Sequence, residues 1–258
     1  MKSTLLGLLR ENDDWKTPIV INAQYPQANL PEIPRAALNV SQTGFGLKLQ
    51  LDLKIAGDVN GLAIERELLR VVLIEMMYRN ELNLAAGTPY VQPPDWLLDG
   101  VLAWDSHDNA AGIGELLRGF VAANKVISLE EFLRQRPDLL DSPSRALYRA
   151  YSFVLVTLLT DLPEGRRLLA KFIADLPEAP NDCAADLKAH FPVLGGSRES
   201  AEKLWILNVA QLSAREDYEP LAVAETERRL DDLLCLRFPN APRRTNTWRL
   251  EDYPEFVH

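Results

Sequence analysis

The sequence predicts an α+β fold that is predominantly helical, and three observations carry that expectation. Period-two apolar alternation is confined to the first 55 residues. A long helical run follows, apolar all round at its centre. From residue 114 on, helical patterning is almost continuous.

The elements follow in order. Leu5 to Leu9 reads as a short first helix: the apolar stretch is brief, and Arg10-Glu11-Asn12-Asp13-Asp14 follows without a small-residue cleavage site. Residues 17–23 (TPIVINA) are β-branched and apolar and read as a strand. A loop containing Pro26, Pro31 and Pro34 comes next. Residues 46–55 (GLKLQLDLKI) alternate strictly, leucines on one face and Lys48, Gln50 and Asp52 on the other, so one face is buried and one wet. Asp58-Val59-Asn60-Gly61 is a turn able to cap the helix expected over 62–82. Ala85 to Pro89 ends that helix, and Asp95 caps the next, Trp96 to about Trp104. Further helices are expected near 114–123, 129–135, 143–160, 164–176, 182–190, 198–213 and 219–234. Asp161-Leu162-Pro163-Glu164 has the composition of a helix start, a capping Asp and a first-turn proline. Residues 237–258 lack periodicity. The expected organisation is a mixed lobe over 1–113, a helical lobe over 114–236 and an extended tail over 237–258.

Composition narrows the function classes. The chain has 258 residues, 47% hydrophobic and 25% charged, an ordinary globular balance. No apolar run reaches the roughly 18 residues of a membrane span. A net charge of −9 repels phosphate backbones, so no nucleic-acid partner is expected. Cys183 and Cys235 lack CxxC spacing, which leaves a long-range disulfide and two reduced thiols equally open. There is no GxSxG elbow, P-loop or GxGxxG. Ser106-His107-Asp108 is no triad by adjacency alone, because the three groups must converge in space.

One constellation is more specific. Ile74-Glu75-Met76-Met77-Tyr78 lies on the long buried helix. Trp96-Leu97-Leu98-Asp99-Gly100-Val101-Leu102-Ala103-Trp104 follows, with residues 79–98 between Tyr78 and Asp99. Together they resemble the gluzincin metallopeptidases, members of the zincins, in which an HExxH helix gives two zinc ligands and a catalytic Glu. A second helix, with a WLxEGxA-like motif, gives a third, acidic ligand. The strand over 46–55 stands where zincins carry a cleft-edge strand. Leu147-Tyr148-Arg149-Ala150-Tyr151-Ser152-Phe153 resembles the helix that follows. The resemblance spans about 45–175 and implies a zincin-like fold with a small N-terminal sheet and a helical C-terminal lobe around one cleft.

Two His at i and i+4 share a helix face and reach one metal, with the Glu between them holding water. Here those positions are Ile74, which has no donor atom, and Tyr78, a poor neutral ligand. Asp99 takes the third-ligand position, one methylene shorter than Glu. Only Glu75 is unchanged. Structural zinc is held by roughly 10–16 kcal/mol from several ligands, beyond one shortened carboxylate. Zinc is therefore expected to be absent, and no other cofactor is implied. Glu75 is expected to be a structural carboxylate pairing with Arg79 at i+4. Glu75, Tyr78, Asp99, Tyr148 and Tyr151 are the candidate cleft-lining residues.

The expectation is a catalytically inactive peptidase-like domain that binds a peptide or protein in the former substrate cleft, an edge strand adding the partner by main-chain hydrogen bonds. An enzyme remains the alternative: a rearranged metal site of Glu75, Asp99 and His107, or metal-free chemistry on the Glu75 and Asp99 pair. A purely structural domain of an envelope assembly is the third reading. Export with a removed signal fits the resemblance, and the compartment stays open.

Overall fold

A computed structural model describes residues 1–25, 36–43, 46–54, 61–80, 90–105, 110–179, 182–214, 223–234, 236–240 and 244–248. Residues Met1–Arg215 form one compact unit and Glu216–His258 a second. The fold is α+β and predominantly helical. The expected lobe boundary at 113/114 falls inside a helix of the first unit. His107, His258 and Cys235, with Ser106 and Asp108, lie outside the described residues.

In the first unit, α1 (Lys2–Leu9) buries Leu5, Leu6, Leu8 and Leu9, and ends where Arg10 adopts a left-handed conformation. Three strands follow: β1 (Ile19–Gln24), β2 (Ala36–Thr43) and β3 (Gly46–Lys54). Their spatial order is β1-β3-β2, with β1 parallel and β2 antiparallel to β3. This corrects the edge-strand expectation. The strand over 46–55 is central, and its main-chain groups on both sides face strands of the same sheet. Its alternation holds: Leu49 and Leu51 are fully buried. On the wet face Asp52 accepts from Asn22, Gln50 and Asn39, at 3.0, 2.9 and 2.7 Å, a carboxylate tying all three strands. These amides, Gln50 foremost, hold its carboxyl below the usual range.

Helix α2 (Gly61–Tyr78) is the central element. From Leu69 to Tyr78 every residue except Arg70 is buried, as an all-round apolar helix requires. Helices α3 (Asp95–Asp105), α4 (Ala110–Ala122), α5 (Leu129–Leu133), α6 (Ser142–Asp161), α7 (Gly165–Asp175), α8 (Cys183–His190), α9 (Pro192–Gly195) and α10 (Arg198–Ala214) complete the unit. Side-chain caps start four of them: the Ser128 hydroxyl accepts from Glu131 N, Asp141 from Ser144 N, Asp182 from Ala184 N and Ala185 N, and the Ser197 hydroxyl from Ser200 N.

The start of α7 departs from expectation. Asp161 is the last residue of α6 rather than a cap. Glu164, in a left-handed conformation, precedes α7 without a side-chain cap bond. Gly165 is required there by closeness: a Cβ would meet the Leu159 carbonyl at 2.0 Å. The core joins β3, α2, α3, α6 and α7 in one apolar cluster. Among the described residues no helix is long and apolar enough to cross a membrane.

In the second unit, α11 (Val223–Leu234) precedes an antiparallel ribbon of β4 (Leu236–Asn240) and β5 (Arg244–Trp248), Leu236 pairing with Trp248. The prolines and absent periodicity of 237–258 concealed this ribbon. A two-stranded ribbon leaves one edge of each strand unpaired, so it tolerates Pro239.

Candidate functional site

Glu75 lies on the fully buried stretch of α2 and is 0% exposed. Its Oε1 accepts from the backbone N–H groups of Lys16 (3.0 Å) and Thr17 (3.2 Å), just before β1. Arg79 Nη2 lies 2.8 Å from Oε2, the pairing expected from the i,i+4 spacing, at an angle short of a hydrogen bond. The Arg79 guanidinium in turn lies over the Trp15 ring, 5.9 Å from its centroid. Glu75 is thus engaged on both oxygens. Its helix neighbours are equally committed: Ile74 is 0% exposed, and the buried Tyr78 hydroxyl accepts from Val91 N at 2.7 Å.

Asp99 has a different environment. Asp95 and Asp99, four apart on α3, share a helix face and repel unless a cation lies between them. Arg66 of α2 is that cation, pairing with both carboxylates. Asp99 is 5% exposed. Burial pushes its pKa above the usual carboxylate value, and Arg66, Arg149 and Arg145 oppose that shift. Glu75 and Asp99 share no hydrogen-bond or ion-pair partner. Arg66 and Glu75 are nine residues apart on α2, which puts them about 180° apart around an ideal helix.

Gly100 explains the Asp-Gly pair without a metal. A Cβ there would meet the Ser152 carbonyl and Val156 Cγ2 at 2.5 Å, so α3 rests directly on the α6 backbone. Before Gly100, Trp96 is anchored: its Nε1 donates to Cys183 Sγ at 3.0 Å, and its ring lies 5.9 Å from that of Phe172. Cys183 is a free thiol whose pKa burial pushes up to about 11, which leaves it protonated and unreactive at neutral pH.

Tyr148 and Tyr151 of α6 are core residues. Phe132 lies 5.2 Å from Tyr148 and 5.9 Å from Tyr151, and Trp205 lies 5.6 Å from Tyr151. Both tyrosines are almost wholly buried. Burial, ahead of Asp95 and Asp99, raises the Tyr148 pKa, so its hydroxyl stays neutral. His190 ends α8 with Nε2 2.9 Å from Asp175 and Nδ1 2.8 Å from the Asp186 carbonyl.

No protein-family model, curated protein or solved structure matches the chain.

The donors at the HExxH-like positions do not fit zinc. Ile74 offers no donor, the Tyr78 hydroxyl receives an amide, and Asp99 faces a guanidinium. Among the described residues no three His, Cys, Asp or Glu side chains converge on one point. Of the five candidate cleft residues, Asp99 lines a cavity. That cavity, about 250 Å³, lies between α2, α3, α4 and α6. Sequence reasoning missed Arg66, and also Arg149, which lines the same cavity. The Asp95–Asp99 spacing was the signal for Arg66, because it demands a cation. Arg149 left none beyond its place beside Tyr148.

Proposed function

We propose that this chain is a zincin-like, peptidase-derived binding module that performs no hydrolysis. The resemblance of residues 74–78 and 96–104 to the gluzincin motif supplies the peptidase part of the reading. The state of Glu75 supports the loss of chemistry. A general base must reach a water or substrate proton within hydrogen-bonding distance, and this carboxylate is sealed from solvent by two amides and a guanidinium. The other motif positions serve packing and ion pairing. What remains available to a peptide or protein is concave surface. A groove of about 700 Å³ runs beside Met76 and Arg79, with Asp13, Asp14, Lys16 and Lys171 supplying charge of both signs.

Metal content tests the reading. The purified chain is dialysed, its zinc measured by elemental analysis, and zinc then titrated back, with hydrolysis of unstructured peptides followed in parallel. The expected result is zinc well below one equivalent, no saturable binding and no cleavage. One tightly held equivalent, or zinc-dependent cleavage, overturns it and brings back the site built on Glu75, Asp99 and His107.

A further inference from the structure

We propose that the cavity between α2, α3, α4 and α6 binds a small apolar carboxylate, its aliphatic part among Leu102, Ile113 and Leu116 and its anionic end on the Arg149 guanidinium. The walls are mainly apolar, and Gly112 leaves open space where a side chain would stand. Two cations line the cavity, and they differ. Arg66 is neutralised by Asp95 and Asp99. Arg149 is exposed, and among the described residues it makes no ion pair or hydrogen bond. An unpaired guanidinium beside an apolar hollow fits a ligand with one charge and an apolar body.

Charge also excludes alternatives. A cationic ligand would have to displace Arg66 from Asp99. A phosphate dianion would meet one available guanidinium and two nearby carboxylates, a poor balance of donors. Size narrows the ligand further: at about 250 Å³ the cavity is smaller than the roughly 300–1,000 Å³ typical of drug-sized ligands. A short-chain acid, or the last apolar residue of a peptide with its free C-terminal carboxylate, has this chemistry. The exposed Leu62 and Arg149 leave a peptide's remainder free to run outward.

Isothermal titration of the full chain tests the inference with octanoate, octan-1-ol, inorganic phosphate, and a leucine-ended peptide in free and C-amidated forms. Octanoate or the free-acid peptide is expected to bind, with octanol, phosphate and the amidated peptide at least tenfold weaker. Which of the two binds identifies the source. Arg149→Gln, at an exposed position, is expected to weaken binding about tenfold or more while the melting temperature holds, the loss of one charge-assisted contact. Ala103→Leu, which fills the cavity, is expected to abolish binding. Equal affinity for octanol and octanoate, an unchanged affinity in Arg149→Gln, or no binding of either carboxylate overturns the inference. The two tests stay distinguishable: zinc content reads the positions Ile74, Glu75 and Tyr78, none of which lines this cavity, whereas the titration reads the charge of Arg149 and the apolar walls, to which segment 96–104 contributes Asp99, Leu102 and Ala103.

Discussion

Arg66 is the residue on which the α2–α3 contact depends electrostatically. It holds Asp95 and Asp99 together on one helix face, and Asp99 is almost fully buried. Arg66→Met keeps an apolar stem and removes the charge, leaving Asp99 as a buried carboxylate without its counter-ion. Breaking such a pair costs about 3–5 kcal/mol. Arg66 is itself 21% exposed, which sets the expectation at the low end, about 3 kcal/mol. The pH dependence has a definite sign. Burial already raises the folded pKa of Asp99, and losing Arg66 raises it further. A carboxyl with a raised folded pKa contributes stability that is full below its unfolded value and is lost as pH rises through the folded one. Urea unfolding of Arg66→Met against the parent is therefore expected to show its largest deficit near pH 8 and a smaller one near pH 5. A deficit independent of pH would mean that Asp99 is not the group left unpaired. This pairing spans 33 residues and was invisible to local spacing, whereas Glu75–Arg79, one helical turn apart, was legible directly.

Between elements, two glycines in helices predict opposite outcomes for the same substitution. At Gly100 of α3 an added methyl collides with the α6 backbone. Gly100→Ala must push the helices apart, costing roughly 1–3 kcal/mol against a propensity gain of about 1 kcal/mol. At Gly119 of α4 a Cβ meets nothing within 4 Å, so Gly119→Ala keeps the propensity gain and is expected to stabilise by roughly 0.5–1 kcal/mol. Thermal unfolding of both variants checks the pair. A stable Gly100→Ala would show that the α3–α6 crossing is looser than described. Most of the helices were legible, through an apolar period that is clearest in α7 and α11 and through a cap in α5, α6, α8 and α10, whereas the four-residue α9 was not foreseen. Strand β2 was not: Ala36 to Thr43 follows a proline-rich stretch and has only weak alternation, so β3, its antiparallel partner, supplies the order its sequence lacks. The order β1-β3-β2 was equally hidden, since alternation fixes which face is buried and says nothing about which strand is central.

At the scale of the molecule, the unit Met1–Arg215 holds an apolar core of its own, running from Leu5 to Leu212. A fragment ending at Arg215 is therefore expected to fold with one cooperative transition and a melting temperature within a few degrees of the full chain. A fragment lacking a cooperative transition would mean that residues 216–258 complete its core. The α+β class was legible because the strands precede the helical run. The separateness of the last segment was not, because its hairpin has no apolar period. The strand order also has a consequence for how the chain assembles. β2 and β3 are adjacent in sequence and pair antiparallel, Thr43 opposite Gly46, so they zip locally at small entropic cost. β1 pairs parallel to β3 with β2 intervening in sequence, a pairing of larger sequence separation that is expected to form after the hairpin. What sets its docking position is Glu75, whose carboxylate holds the amides of Lys16 and Thr17 two residues before the strand begins. Glu75 thus acts as a latch on the outer strand β1, and releasing it is expected to loosen the N-terminal edge of the sheet.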